Sequence, residues 1–193
     1  MISYGWDNIS LHPLDSKNLE TVREWRNDSR VRDWCRQHNL INDIQQKAWF
    51  EKQAFDSSIE MFLIRYMGKA VGVCGLTSIC YRNRRAEFSL YIAPQFQGKG
   101  YAKPALKSLF KYGMDELNLN RIWGESFISN KANKIFKSIG MDKEGVRKDF
   151  YFKNGEYIDA ILWSIGSAEC NWLCSEPSDL GSDKLVYTGI EEA

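Results

Sequence analysis

Histidine is scarce in this chain: only His12 and His38 are present, well separated in sequence. Cys170 and Cys174 form a lone C-x-x-x-C with no further ligands nearby, so no metal centre is expected. The five cysteines are odd in number and mostly set in apolar context. The opening residues, MISYGWDNIS, lack a basic-then-apolar run. Together these features lead us to expect a reduced, cytoplasmic protein with buried thiols. No stretch approaches the roughly 20 apolar residues of a membrane span. A dominant charge is also missing. The net charge is +1 over 193 residues, so no global field points to nucleic acid or membrane. The imbalance is local: residues 166–193 carry six acids against one base, Lys184. The remaining body is mildly basic, which suits an anionic ligand or reflects ordinary solvated lysines. Neither a repeat nor a linker interrupts the chain before residue 166. We expect one domain over 1–166 and an acidic tail over 167–193.

What the chain does have is a clear order of elements. ISLHPL (9–14) reads as a strand, and Asp15 starts a helix that turns Leu19, Val22 and Trp25 inward. NDSRVRDWCRQ reads as a second short helix. Asp43 with Gln46 looks like the capping box of a third. EMFLIRYM and KAVGVCGLTSICY flank Gly68-Lys69, a hairpin signal. AEFSLYIA alternates, with Ala86, Phe88, Leu90 and Ile92 on the core face and Glu87, Ser89 and Tyr91 on the other. A helix follows from Tyr101, then the strand RIWGESFI, then a helix stopped by Gly140. Asn154-Gly155 marks a last hairpin. The pattern predicts a mixed α/β domain around one central sheet.

The stretch YIAPQFQGKGYAK (91–103) carries the chemistry. A P-loop fails here, because Ala93 replaces its first glycine and Gly100, not a hydroxyl residue, follows Lys99. A dinucleotide loop fails at Lys103, where its third glycine belongs. Gln97-x-x-Gly100-x-Ala102 fits a different use, in which unpartnered amides at a helix N-terminus surround a diphosphate. Gly98 and Gly100 allow close backbone approach, Lys99 adds charge, and Pro94 interrupts strand pairing just before the loop. On the loop alone, an ordinary glycine-containing turn fits equally well.

The loop and the strand ending Y-I-A-P resemble the acetyl-CoA pyrophosphate loop of the GNAT superfamily of N-acetyltransferases. NLNRIWGESFISNKANKIFKSIGM resembles that family's next strand and helix, with Met141 where Phe is usual. GVRKDFYFKNGEYIDAILWSI resembles its closing hairpin. EWRNDSRVRDW and QQKAWFEKQ resemble the branch holding ribosomal-protein N-terminal and bacterial amino-sugar acetyltransferases. The resemblance covers roughly residues 8–166. It implies a single-domain fold with a central, twisted, mostly antiparallel sheet flanked by helices. It also implies direct transfer from acetyl-CoA to a primary amine, with no metal.

By the same resemblance, Leu90, Tyr91 and Ile92 offer backbone groups to the pantetheine arm, and Gln97, Gly98, Lys99, Gly100, Tyr101 and Ala102 hold the pyrophosphate. Asn130 and Asn133 are further cofactor candidates, although an N-cap role fits Ser129 or Asn130 as well. Glu87 is the candidate base; otherwise it is an exposed acid paired with Arg84 or Arg85. Phe136 stands where many relatives place a proton-donating tyrosine. Trp25, Arg26 and Asn27 are candidates for the acceptor side, with Trp25 in the core as the bland alternative. The acceptor expected is a small molecule, in first place a nucleotide-linked amino sugar. A polyamine would prefer an acidic cleft, and residues 20–45 are not notably acidic. A protein N-terminus is the alternative acceptor. A non-catalytic acyl-CoA-binding module is the rival of another class, motivated by Phe136. Other partners are limited to a second copy of the chain, as a homodimer; Arg82, Arg84 and Arg85 lack interleaved aromatics, so nucleic acid is not expected.

Overall fold

The computed structural model describes residues 8–170. The chain runs β1 (Ile9–Pro13), α1 (Leu19–Asn27), α2 (Ser29–Arg32), α3 (Asp43–Ala54), β2 (Glu60–Tyr66), β3 (Lys69–Cys80), β4 (Arg85–Ile92), α4 (Ala102–Asp115), β5 (Arg121–Phe127), α5 (Asn133–Ser138), β6 (Asp142–Lys153) and β7 (Glu156–Gly166). Seven strands form one sheet in the order β1-β2-β3-β4-β5-β7-β6. All neighbours are antiparallel except β4 and β5. The mixed α/β architecture and its mostly antiparallel sheet are as the sequence predicts.

Both faces of the sheet are covered. On one, α4 presents Ala105, Leu106, Leu109 and Phe110, each fully buried, against Ile9, Leu11, Ile64, Leu76 and Ile122. These residues recur at helical spacing, so one stripe meets the sheet. On the other face, α1 buries Leu19, Val22 and Trp25 against Leu63 and Val73.

Local details shift by a residue where turn chemistry decides. The first hairpin turns at Met67-Gly68, not Gly68-Lys69: both have positive φ, 47° and 79°, the signature of a type I′ turn. The α3 cap is Asn42 with Gln45, not Asp43 with Gln46. The Asn42 side chain accepts from the Gln45 amide, and the Gln45 side chain accepts from the Asn42 amide. Gln46 is instead one of the few buried polar residues. The expected acidic tail lies outside the described residues, apart from a short turn over Ser167–Glu169 that follows β7.

The feature that creates the site is a fork. β4 and β5 pair in parallel at Arg85↔Arg121, Ala86↔Ile122 and Glu87↔Trp123, and no further. β4 continues against β3 to Ile92, and β5 continues against β7 to Phe127. The Phe88 ring lies over Gly124 at the opening. A methyl group at Gly124 would sit 2.4 Å from that ring, so only glycine admits the aromatic there.

Candidate active site

Beyond Glu87, the β4 edge facing β5 has no strand partner, so Leu90, Tyr91 and Ile92 border an open cleft. Just past the end of β4, Gly98 and Gly100 take φ of +75° and +86°, conformations that other residues adopt only with strain. Tyr101 opens α4 without a side-chain cap. Among the described residues, the amides from Gly98 to Ala102 donate to no acceptor. Lys99 rests over the Phe96 ring at 5.3 Å, and Lys69 reaches the same ring from β3. This is a cationic turn with free donors beside an unpaired strand edge, which fits a linear ligand bearing a diphosphate. Gln97 behaves differently from its neighbours: its side-chain amide donates to the carbonyls of Arg30 and Ile92 and ties the turn to α2.

Asn130 and Asn133 lie on the β5 side, with their side chains engaged in the strand-to-helix turn. Asn130 accepts from the Ala132 amide at 2.9 Å within the turn, and the N-cap of α5 is Ala132, with no side-chain cap, so neither Ser129 nor Asn130 is its N-cap. Asn133 donates to the carbonyls of Phe127 and Ile128 and accepts from Ser126. Phe136 is buried edge-to-face against Phe88 and Trp163.

On the α1 face, a cavity of about 630 Å³ opens onto Ser89 and Tyr91 of β4. Its wall opposite the sheet comes from residues 36–41 between α2 and α3, and α3 adds Gln46 and Trp49. Arg26 reaches in from α1. Its Nε donates to Gln37 at 2.8 Å, and its guanidinium lies 5.4 Å from the Tyr91 ring centroid. Burial pushes the Tyr91 phenol above the usual tyrosine range, so it stays protonated. Of the three residues expected on the acceptor side, Arg26 alone lines this cavity. Trp25 is 8% exposed and belongs to the core, because α1 turns it toward Leu63 and Val73. Asn27 holds the loop, accepting from the Ile41 amide and donating to its carbonyl, each at 2.8 Å.

Glu87 is neither exposed nor paired with Arg84 or Arg85. It is 7% exposed, and Arg36, from the loop between α2 and α3, donates to its Oε1 at 2.6 Å. Arg84 instead turns to Asn118. A second acid, Glu125, stands on the other prong of the fork, on the same face as Trp123. It accepts from Arg147 at 2.5 Å and from the Tyr151 hydroxyl at 2.6 Å. Burial, and then the bond to Glu125, keeps the Tyr151 phenol above its ordinary range and protonated. Thus each prong carries one carboxylate, and each carboxylate is held by a guanidinium. The alternation in RIWGESF carries the signal for Glu125. Arg36 has none, because it lies on a loop between two helices.

Among the described residues there is no cluster of three metal-ligating side chains, and no helix is long and apolar enough to cross a membrane. The profile of the acetyltransferase (GNAT) domain matches residues 8–142. The chain belongs to the GNAT family. This GNAT protein is an N-acetyltransferase that acts on amines with acetyl-CoA as co-substrate. It is 30% identical to the spermidine N(1)-acetyltransferase of Escherichia coli over 162 residues, covering 82% of this chain and 86% of the relative. It is 28% identical to the putative ribosomal N-acetyltransferase YdaF of Bacillus subtilis, covering 82% and 91%. A crystal structure of spermidine N-acetyltransferase from Vibrio cholerae in complex with CoA and spermine superposes with a TM-score of 0.81 at 24% identity, covering 84% of this chain and 97% of that one, which establishes the shared fold.

Proposed function

We propose that this acetyltransferase modifies the primary amine of a small molecule that also carries an anionic group, in first place a nucleotide-linked amino sugar. The observation that carries this reading is the charge of the cavity beside the fork. Arg26 and Arg36 line it, and no aspartate or glutamate does. Arg36 is paired with Glu87, whereas Arg26 has no carboxylate partner among the described residues. A guanidinium fork matches phosphate and carboxylate oxygens, and Trp49 and Tyr91 offer flat surfaces to a ring. A polyamine brings several cations. One placed beside Arg26 would meet like charge at a cost of about 1 kcal/mol at 4 Å in water and about four times that in a partly buried site.

Acetyl-CoA supplies the thioester and lies along β4 in the cleft, its diphosphate on residues 97–102. Backbone groups of Leu90, Tyr91 and Ile92 face its pantetheine arm; Asn130 and Asn133 shape the opposite bank as the turn that positions α5. The amine enters from the α1 face, beside the Arg36–Glu87 pair. Glu87 takes its proton on Oε2, the oxygen that Arg36 leaves free. Phe136 supplies no proton to the departing thiolate. A thiol with a pKa of roughly 8.5 leaves without one far more readily than an amine would.

Release of free CoA from acetyl-CoA, measured with UDP-glucosamine, with spermidine and with short peptides, tests the acceptor. Turnover is expected with UDP-glucosamine and not with spermidine. Equal or faster turnover of spermidine overturns the anionic-acceptor reading, and turnover only of peptides returns the protein N-terminus as acceptor. Acetyl-CoA binding with no turnover across wider amine panels would identify a binding module. Light scattering reads the homodimer expected of the chain.

A further inference from the structure

Lys153 is the last residue of β6, next to the hairpin turn at Asn154-Gly155. It is 6% exposed, although lysine is rarely buried without partners. Its ammonium has three protons and three acceptors: the carbonyls of Arg32, Cys35 and Gln37, at 2.5, 2.5 and 3.0 Å. Every donor of the buried cation is thereby used, in charge-assisted bonds. The Phe127 ring lies 5.7 Å away and shields it on one side. All three carbonyls belong to the segment that leaves α2 and becomes the wall of the acceptor cavity, more than a hundred residues earlier in the chain.

Two of the three carbonyls flank residue 36. The peptide groups Cys35–Arg36 and Gln37–His38 are therefore fixed from below, and the Arg36 side chain extends to Glu87. The far end of the same segment is held separately, by Asn27 and Arg23 at Ile41. Without Lys153, residues 33–37 would be held to the rest of the domain only through the side chains of Arg36, at Glu87, and of Gln37, at Arg26 and Asn27, and their backbone would keep only local bonds. Segments with few buried contacts and solvated backbone open at low free-energy cost.

We propose that Lys153 is a positioning residue of the acceptor site: the C-terminal hairpin uses it as a latch that holds residues 32–37 in place and so delivers Arg36 to Glu87 and shapes the cavity wall. The latch itself does not depend on which amine enters. Its part in acetyl transfer rests on the function proposed above. Because the latch touches nothing at the Gly98–Gly100 turn, it separates the two substrates: acceptor recognition depends on it and acetyl-CoA binding does not.

In Lys153→Met, amide hydrogen exchange over residues 33–41 and alkylation of Cys35 by iodoacetamide should both rise at least about tenfold. Exchange over residues 97–102 and the Kd for acetyl-CoA should stay within about twofold. With UDP-glucosamine as probe, KM should rise about tenfold with kcat nearly unchanged, a split that general destabilisation does not produce. Unchanged exchange and alkylation at 33–41 overturn the latch, as does an equal loss of acetyl-CoA affinity. If the wild-type enzyme does not turn over UDP-glucosamine, the substrate reading falls, while exchange and alkylation still decide the latch. Should Lys153→Met fail to fold, acylation of the native wild type with a water-soluble acetylating reagent decides instead. Lys153 should be protected while Lys148, whose side chain is 77% exposed, reacts freely. Equal reaction at both lysines overturns the proposal.

Discussion

Along β4, the cleft is framed by backbone: a strand edge left unpaired past Glu87, and two glycines at positive φ. Across the sheet, around Arg26, the cavity is framed by side chains carried on a loop and two helices. The two regions meet at Ser89 and Tyr91, yet they follow different rules. Backbone geometry is indifferent to most substitutions and fails only when a glycine is lost or a strand pairs. Side-chain geometry can be rewritten one residue at a time. A fold that keeps the first region fixed and varies the second can hold one co-substrate while changing its acceptor. That division accounts for an arginine-lined cavity in a chain that is 30% identical to a spermidine acetyltransferase.

The sharpest way to break this contrast is at the glycine turn. Gly100→Glu has room, since nothing lies within 4 Å of a Cβ there, but it brings a carboxylate to the proposed diphosphate site at φ +86°. Acetyl-CoA affinity should fall by at least about 100-fold, or about 2.7 kcal/mol, in calorimetry. Far-UV circular dichroism should show the fold retained. Undiminished affinity would place the diphosphate elsewhere.

Glu87→Gln probes the junction of the two regions. It should lower kcat about 100-fold at neutral pH with little change in the Kd for acetyl-CoA. The deficit should shrink as pH rises, because more of the amine is then already neutral. An unaltered kcat would leave Glu87 as no more than the partner of Arg36.

Arg26→Ala tests the acceptor wall alone. KM for UDP-glucosamine should rise about tenfold while acetyl-CoA affinity stays within about twofold. Comparable losses for both ligands would dissolve the distinction between the regions.

The smallest effect is expected at Asp28, which caps α2 just before the wall begins. Asp28→Ala should cost about 1 kcal/mol, read as a fall in Tm. Hydrogen bonds from Arg30 hold the Asp28 carboxyl down to about 2. Its folded pKa is thus below its unfolded value near roughly 4, so its contribution is complete above that pH and fades as pH falls toward 2. The Tm difference between wild type and variant should close over the same interval.

The same division governs how much of the fold and of the site is legible in the sequence. The glycine turn, the strand ahead of it and the helix after it are contiguous along the chain, and local chemistry dictates each. Gly98 and Gly100 are legible for that reason, as are the hairpins and the covered stripe of α4. Glu87 can be picked out, but its surroundings cannot. Alternation puts it off the core face without revealing that α1 and residues 33–41 cover that face too. Trp25 is ambiguous because an aromatic at helical spacing suits either a core or a pocket. Arg36, Glu125 and Lys153 draw their meaning from partners far away in the chain, and no spacing rule reaches across such separations.

The Lys153 contacts also impose an order on biosynthesis. The segment that walls the cavity leaves the ribosome early, whereas the ammonium that fastens it follows 121 residues after Arg32. At ordinary elongation rates the delay is about ten seconds. Through that interval the nascent chain holds the exposed apolar side chains Trp34 and Leu40 on an unfastened strip. A chain broken off ahead of its final hairpin never acquires the fastening at all.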